Sequence, residues 1–369
     1  MTSTATEAAS SNFSLDRPLH DEPALRERLE QFLEPRAAAV DANEATLRDG
    51  LAFLGELELS SLGVYGRSDR GTLERMCEVT AAVAHHDMSQ AFALCCHRMG
   101  VEYLEQARSE SVRDELLPRV RSAEVIGSTS FAAATSHYLG GVRLPVQFRR
   151  DGDTLIANGR IAWASNVQAP FVSVTAAVNQ DDPDDRVVFA YTEATPGFRT
   201  SPYPDLLALQ STNSTSPYFE DARIAPEWVL SEDFPDFFER VFATFILTQC
   251  SFCWGISERA LSETEPVLTG PREVLREDLN GLLARYDSGV ERLRRYARME
   301  DRRALDVRDV LQLRLDWGRI AVDSVALELK AVGGRGYTKQ SGTARRLREV
   351  MFLPVQSPTE VQLRWLLSR

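Results

Sequence analysis

Hydrophobic positions along the chain change period twice. From Glu22 to about Pro118 they keep helical spacing: Leu25, Leu29, Phe32 and Leu33 form one stripe, and Leu47, Leu51, Leu54 and Leu57 another. The stretch from Met88 to Ala107 is apolar nearly all round, which predicts a central and mostly buried helix. Near Glu124 the pattern turns extended. LPVQFRR from Leu144 and TLIANG from Thr154 flank Asp151-Gly152-Asp153, a hairpin signature, and FVSVTAAV (171–178), RVVFAY (186–191) and STSPYFEDARI (214–224) follow. Pro183 among acidic pairs marks an exposed turn. From Phe234 the helical period returns, with Phe237, Phe238, Val241, Phe242 and Phe245 on one face, and further helices are expected from about Val274 to Glu300 and from Val307 to Val332.

This order predicts a mainly α protein with a central β-domain: a loosely ordered tail over 1–20, an N-terminal helical domain over 21–123, a small, mainly antiparallel β-domain over 124–232, and a C-terminal helical bundle over 233–369. Composition narrows the class. An apolar content of 43% and a charged content of 26% in 369 residues describe an ordinary soluble globular protein. A formal charge of −12 weighs against nucleic acid or an anionic membrane as the main partner. Five cysteines do not suggest a disulfide framework, and residues 1–20 lack the apolar core of a signal peptide, so a cytoplasmic protein is expected. Cys250-x-x-Cys253 sits in an apolar helical run, which favours two buried thiols over a redox pair. His85-His86 and His137 lack metal-type spacing, and no metal site is expected.

The last forty residues carry the most specific pattern. Gly333-Gly334-Arg335-Gly336-Tyr337, then Arg348-Glu349, then Ser357-Pro358-Thr359 resemble the C-terminal signature of the acyl-CoA dehydrogenase superfamily, Gly-Gly-x-Gly-Tyr/Phe, Arg-Asp and Tyr-Glu-Gly-Thr. GSTSFAAATSH (127–137) occupies the place of that family's Ala-Leu-Thr-Glu-Pro-x-Ala-Gly-Ser-Asp, with Ser130 and Ser136 on its Thr and Ser. NGRIAWASN (158–166) resembles Asn-Gly-x-Lys-x-Trp-Ile-Thr-Asn, with Trp163 and Ser165 on the Trp and Thr. The resemblance implies the three-part fold above with a four-helix C-terminal bundle. It implies a flavin held by Ser130, Ser136, Trp163 and Ser165, and a homotetramer or homodimer in which Lys330, Gly333, Gly334 and Gly336 meet a neighbour's cofactor. The family's Arg-x-x-Phe-Gly diphosphate motif is absent from the second long helix, which brings FMN or a transiently bound reduced flavin in beside FAD.

The base of the family's dehydrogenation is also missing. Its Glu position holds Ser357, and the alternative position on the first long C-terminal helix holds Phe245. A hydroxyl is far too weak a base unless activated. Glu239 and Glu360 are the nearest carboxylates in sequence. A flavin against an apolar pocket without a base suits oxygen transfer from reduced flavin and O2 to a small organic or carrier-bound substrate. The expectation is therefore a two-component monooxygenase served by a separate flavin reductase, with His97 and Ser357 as catalytic candidates. A core histidine is the plain alternative for His97. Two other functions stand beside this one: an acyl-CoA or acyl-carrier-protein dehydrogenase with a non-standard base, and a non-catalytic homologue that binds an acyl chain or a carrier protein.

Overall fold

The computed structural model describes residues 15–369. Of the expected loose tail, residues 1–14 lie outside the described residues, whereas 15–20 pack against the body. Leu15 and Leu19, one helical turn apart in sequence, are both buried. The Asp16 carbonyl accepts a hydrogen bond of 2.8 Å from the Tyr286 hydroxyl, and its carboxylate pairs with Arg294.

The helical part that follows comprises α1 (Pro23–Leu33), α2 (Ala37–Asp41), α3 (Leu47–Glu56), α4 (Leu73–His86), α5 (Met88–Glu105) and α6 (Glu110–Arg121). Asp87 divides α4 from α5. Its backbone is extended at φ −150°, and its carboxylate accepts from the Gln90 N–H at 2.9 Å, capping the second helix as the first stops. Every residue of α5 from Met88 to Leu104 is buried, as its all-round apolar pattern predicts.

Eight strands form one sheet: β1 (Ile126–Thr129), β2 (Val146–Asp151), β3 (Thr154–Arg160), β4 (Phe171–Asn179), β5 (Arg186–Thr192), β6 (Phe198–Thr200), β7 (Pro217–Ile224) and β8 (Val229–Ser231). The order is β6-β7-β3-β2-β4-β5-β8, with β1 lying parallel to β4. The β2–β3 hairpin turns at Gly152, whose φ of 60° is one glycine adopts freely. Between β1 and β2 the chain forms a helix, α7 (Ala132–Gly140), which the hydrophobic period does not announce. Three successive alanines favour that helix, and Gly141 in the left-handed region stops it.

The C-terminal part is built on α8 (Phe234–Thr264), α9 (Arg276–Ala297) and α10 (Val307–Val332). After α10 a 3-10 turn over Gly333–Tyr337 leads to α11 (Gly342–Val350) and α12 (Glu360–Leu367), which pack on α10 and fill the fourth place of the bundle. Helix α8 lies at the centre, against α10 on one side and α4 and α5 on others. Cys250 and Cys253 are buried free thiols within it. Among the described residues, no helix is long and apolar enough to cross a membrane.

Candidate functional site

A cavity of about 480 Å³ lies where the sheet, α5, α8 and the α11–α12 connection meet. Helical spacing puts Phe92, Cys95 and Cys96 on one face of α5, where they line the cavity opposite Phe245 of α8. The sheet side contributes Thr129, Phe131, Trp163 and Ser165. An irregular loop brings Leu206, Leu207 and Leu209 to the mouth. The last wall is Phe352, Val355, Gln356 and Ser357.

The sheet side is held by short polar links. Ser128 Oγ donates to the Ser165 carbonyl at 2.7 Å, and the Ser165 and Ser214 hydroxyls are 2.8 Å apart. Asn166, at φ 61°, sends its amide nitrogen to the carbonyls of Ala93 (2.8 Å) and Gly127 (3.2 Å), tying the loop to α5 and β1 at once. The α5–β1 seam is so close that a Cβ on Gly127 would stand 2.5 Å from the His97 carbonyl oxygen.

No aspartate or glutamate lines the cavity among the described residues. Its one charged residue, Arg348, is engaged by the Asp41 carboxylate and by the Ala344 carbonyl at 3.1 Å. Burial pushes the Cys95 thiol up to about 11 and Cys96 well above the ordinary thiol range, so both are neutral near pH 7. Apart from the paired Arg348, the lining is thus apolar, with neutral hydroxyl and amide groups.

Of the residues singled out in the sequence, Trp163, Ser165 and Ser357 meet in this cavity, with Phe245 across from them. Ser130 and Ser136 do not. Ser130 is 1% exposed on the far face of its segment; its hydroxyl donates to the Val174 carbonyl (2.9 Å) and accepts from Tyr191 (3.0 Å). Because side chains alternate along an extended chain, its neighbour Thr129 takes the cavity position. Ser136 rides on α7, where its hydroxyl meets the Gln362 amide at 2.9 Å.

His97 also lies off the cavity. It is fully buried, and its Nδ1 accepts from the Gly127 N–H at 2.9 Å. Burial brings its pKa down to about 4, so it is a neutral ring that pins β1 to α5. Lys330, Gly333 and Gly334 stand at the end of α10, outside the lining. Gly336 borders a separate open depression of about 650 Å³ with Arg335, Lys339 and Arg346. The two substitute carboxylates are elsewhere as well. Glu239 binds the Tyr138 hydroxyl (3.0 Å) and Arg303 (2.8 Å), and Glu360 binds Arg319 (3.0 Å).

Residues not legible from the sequence are Thr129, Gln356, and two buried groups behind the last wall, Arg314 and Gln249. The strand alternation could have singled out Thr129. The others come from α8, α10 and the α11–α12 connection and carry no local signature.

No family model matches the chain. It is 22% identical over 364 residues to a probable acyl-CoA dehydrogenase of Mycobacterium leprae, covering 94% of this chain and 92% of the relative. A probable acyl-CoA dehydrogenase of Mycobacterium tuberculosis is 23% identical over 220 residues, 58% of this chain; the match spans 56%, about half, of that relative's length. Among solved structures, butyryl-CoA dehydrogenase from Megasphaera elsdenii superposes with a TM-score of 0.81 at 16% identity, covering 97% of this chain and 98% of that one. A prolyl acyl carrier protein oxidase gives 0.82 at 16% identity, covering 95% and 98%. The chain thus shares the acyl-CoA dehydrogenase fold and is similar over nearly its whole length to a probable acyl-CoA dehydrogenase.

Proposed function

We propose that the protein is a flavin-dependent oxidoreductase whose cavity takes the acyl part of a thioester, on coenzyme A or on a carrier protein. The relatives support this class, since their names are those of acyl-CoA dehydrogenases and an acyl-carrier-protein oxidase. The residues present fit a flavin ring: neutral hydroxyls at Thr129, Ser165 and Ser214, and Trp163, 54% exposed at the rim, where a planar ring would cover it. Bound there, a flavin supplies a hydride acceptor. Phe92, Phe245 and Phe352 exclude water and hold an apolar chain, while Ser165 and Thr129 orient the ring edge. His97 enters only as a positioning residue, through Gly127. Lys330 and the glycines at 333, 334 and 336 are left for the cofactor of a second copy, near the depression that Gly336 borders.

One observation carries a second reading. Among the described residues the lining holds no carboxylate, so no side chain of theirs in it takes an α-proton at neutral pH. Oxygen transfer, with reduced flavin from a reductase, needs a dry pocket and no such base. Thioester oxidation is the reading the relatives favour; oxygen transfer is the one the lining favours. Anaerobic mixing of the flavin-loaded protein with butyryl-CoA and with prolyl carrier protein decides between them. Loss of the yellow oxidised-flavin absorbance is expected if a thioester is oxidised. No loss with either substrate, together with label from isotopic O2 in a product when reduced flavin is supplied, would replace the first reading by the second.

A further inference from the structure

Behind the last wall of the cavity sits a guanidinium surrounded by neutral groups. Arg314 is 1% exposed, yet its hydrogen-bond acceptors are three uncharged oxygens: Gln249 Oε1 (2.9 Å), Gln356 Oε1 (3.0 Å) and the Leu353 carbonyl (3.3 Å). Removing a cation from water without a carboxylate partner is costly, and the arrangement persists only if those dipoles are well aligned. A guanidinium can only donate. The amide oxygen of Gln356 therefore faces Arg314, and its Nε2 faces away. Gln356 lines the cavity, and among the described residues that nitrogen has no hydrogen-bond partner. The neighbouring Ser357 is fixed by its carbonyl, which accepts from Gln249 Nε2 at 3.1 Å. Its Oγ is buried in the same lining with no partner.

We infer that Gln356 Nε2 and the Ser357 hydroxyl form a hydrogen-bond donor pair that receives an acceptor oxygen of the ligand, with Arg314 as the positioning residue that orients and polarises the Gln356 amide. At the place where a carboxylate would accept a proton, this wall donates. The ligand class selected is an apolar body carrying a carbonyl oxygen at one end. The inference rests on the cavity being the substrate site, as proposed above, and the test separates the two.

Acetophenone and α-methylstyrene have the same shape, with =O in one replaced by =CH2 in the other. Calorimetric titration of the full-length protein with each is expected to show acetophenone bound roughly tenfold more tightly, the worth of one good net hydrogen bond. Gln356→Glu keeps the shape and still offers Arg314 an oxygen, so it folds, but it has no donor to present. That variant is expected to lose the tenfold preference while still binding α-methylstyrene, and Ser357→Ala to lose part of it. In difference infrared spectra the carbonyl stretch of bound acetophenone should lie below its free position in the wild type and return toward it in Gln356→Glu. Equal binding of both ligands to the wild type, or a preference that survives in both variants, overturns the donor pair and leaves the cavity reading intact. Failure of the wild type to bind either ligand overturns both.

Discussion

The C-terminal stretch from α10 to α12 has two faces with opposite electrostatics. On one, carboxylates are buried freely. Glu328, fully buried, holds Arg346 and receives the Thr343 hydroxyl at 2.6 Å, and Glu349 is 1% exposed near Arg345. On the other, Gln356, Ser357 and the facing Phe245 line a cavity without a single acid among the described residues. The same few turns of chain can therefore keep an acid out of water whenever a guanidinium meets it. The neutrality of the cavity is a local property of that wall and not a general poverty of buried acids.

The comparison breaks most directly if an acid is moved across. Ser357→Glu places a carboxylate where the family's base stands. In flavin-loaded protein it is expected to speed the anaerobic loss of flavin absorbance with butyryl-CoA by about 10²–10⁴-fold, the usual scale of a positioned general base. Stopped-flow absorbance measures it. An unchanged rate would mean that the cavity does not present a thioester's reactive carbon to position 357, and the contrast between the two faces would lose its chemical meaning.

An acid removed from the other face tests the opposite half. Glu328→Gln leaves Arg346 buried with only one neutral oxygen in place of the charged partner, and breaking such a pair costs about 3–5 kcal/mol. Urea unfolding reads this as a lower midpoint at unchanged slope. A loss below about 1 kcal/mol would show that the ionic face is no better compensated than the cavity wall.

Much of this contrast was visible in the sequence, and the limits are physical. Hydrophobic period set out the helices and strands, because burial of one face is what selects each element. Motif order placed Trp163, Ser165, Ser357 and Phe245, which do share one cavity. Ser130 lies one residue from the cavity-lining Thr129 and so on the opposite face, a step that motif matching does not resolve. Helix α7 was hidden because the family pattern at 127–137 outweighed the helix propensity of its alanines. Arg314 meets Gln249 and Gln356 across 65 and 42 residues of chain, so no local pattern could announce their convergence. Composition and spacing see stripes; a cluster drawn from two helices and the α11–α12 connection is known only once they pack.

The smallest expected effect concerns pH. Burial, opposed chiefly by Arg345, raises the Glu349 carboxyl to about 7, against 4.5 for an ordinary glutamate. With the folded value the higher, the native state keeps a proton that the unfolded chain has already lost between those two pH values. This contribution to stability is full below pH 4.5 and is lost as pH rises through about 7. Glu349→Gln cannot ionise and keeps the neutral form at every pH. Relative to the wild type it should therefore gain stability as pH rises from about 5 to 7 and level off above that, by roughly 2–3 kcal/mol in all. Thermal melts of both proteins across that range measure the difference. A flat difference would mean that Arg345 already holds Glu349 ionised. The two faces would then differ more sharply still, one pairing its guanidinium with a full negative charge and the other surrounding Arg314 with neutral oxygens.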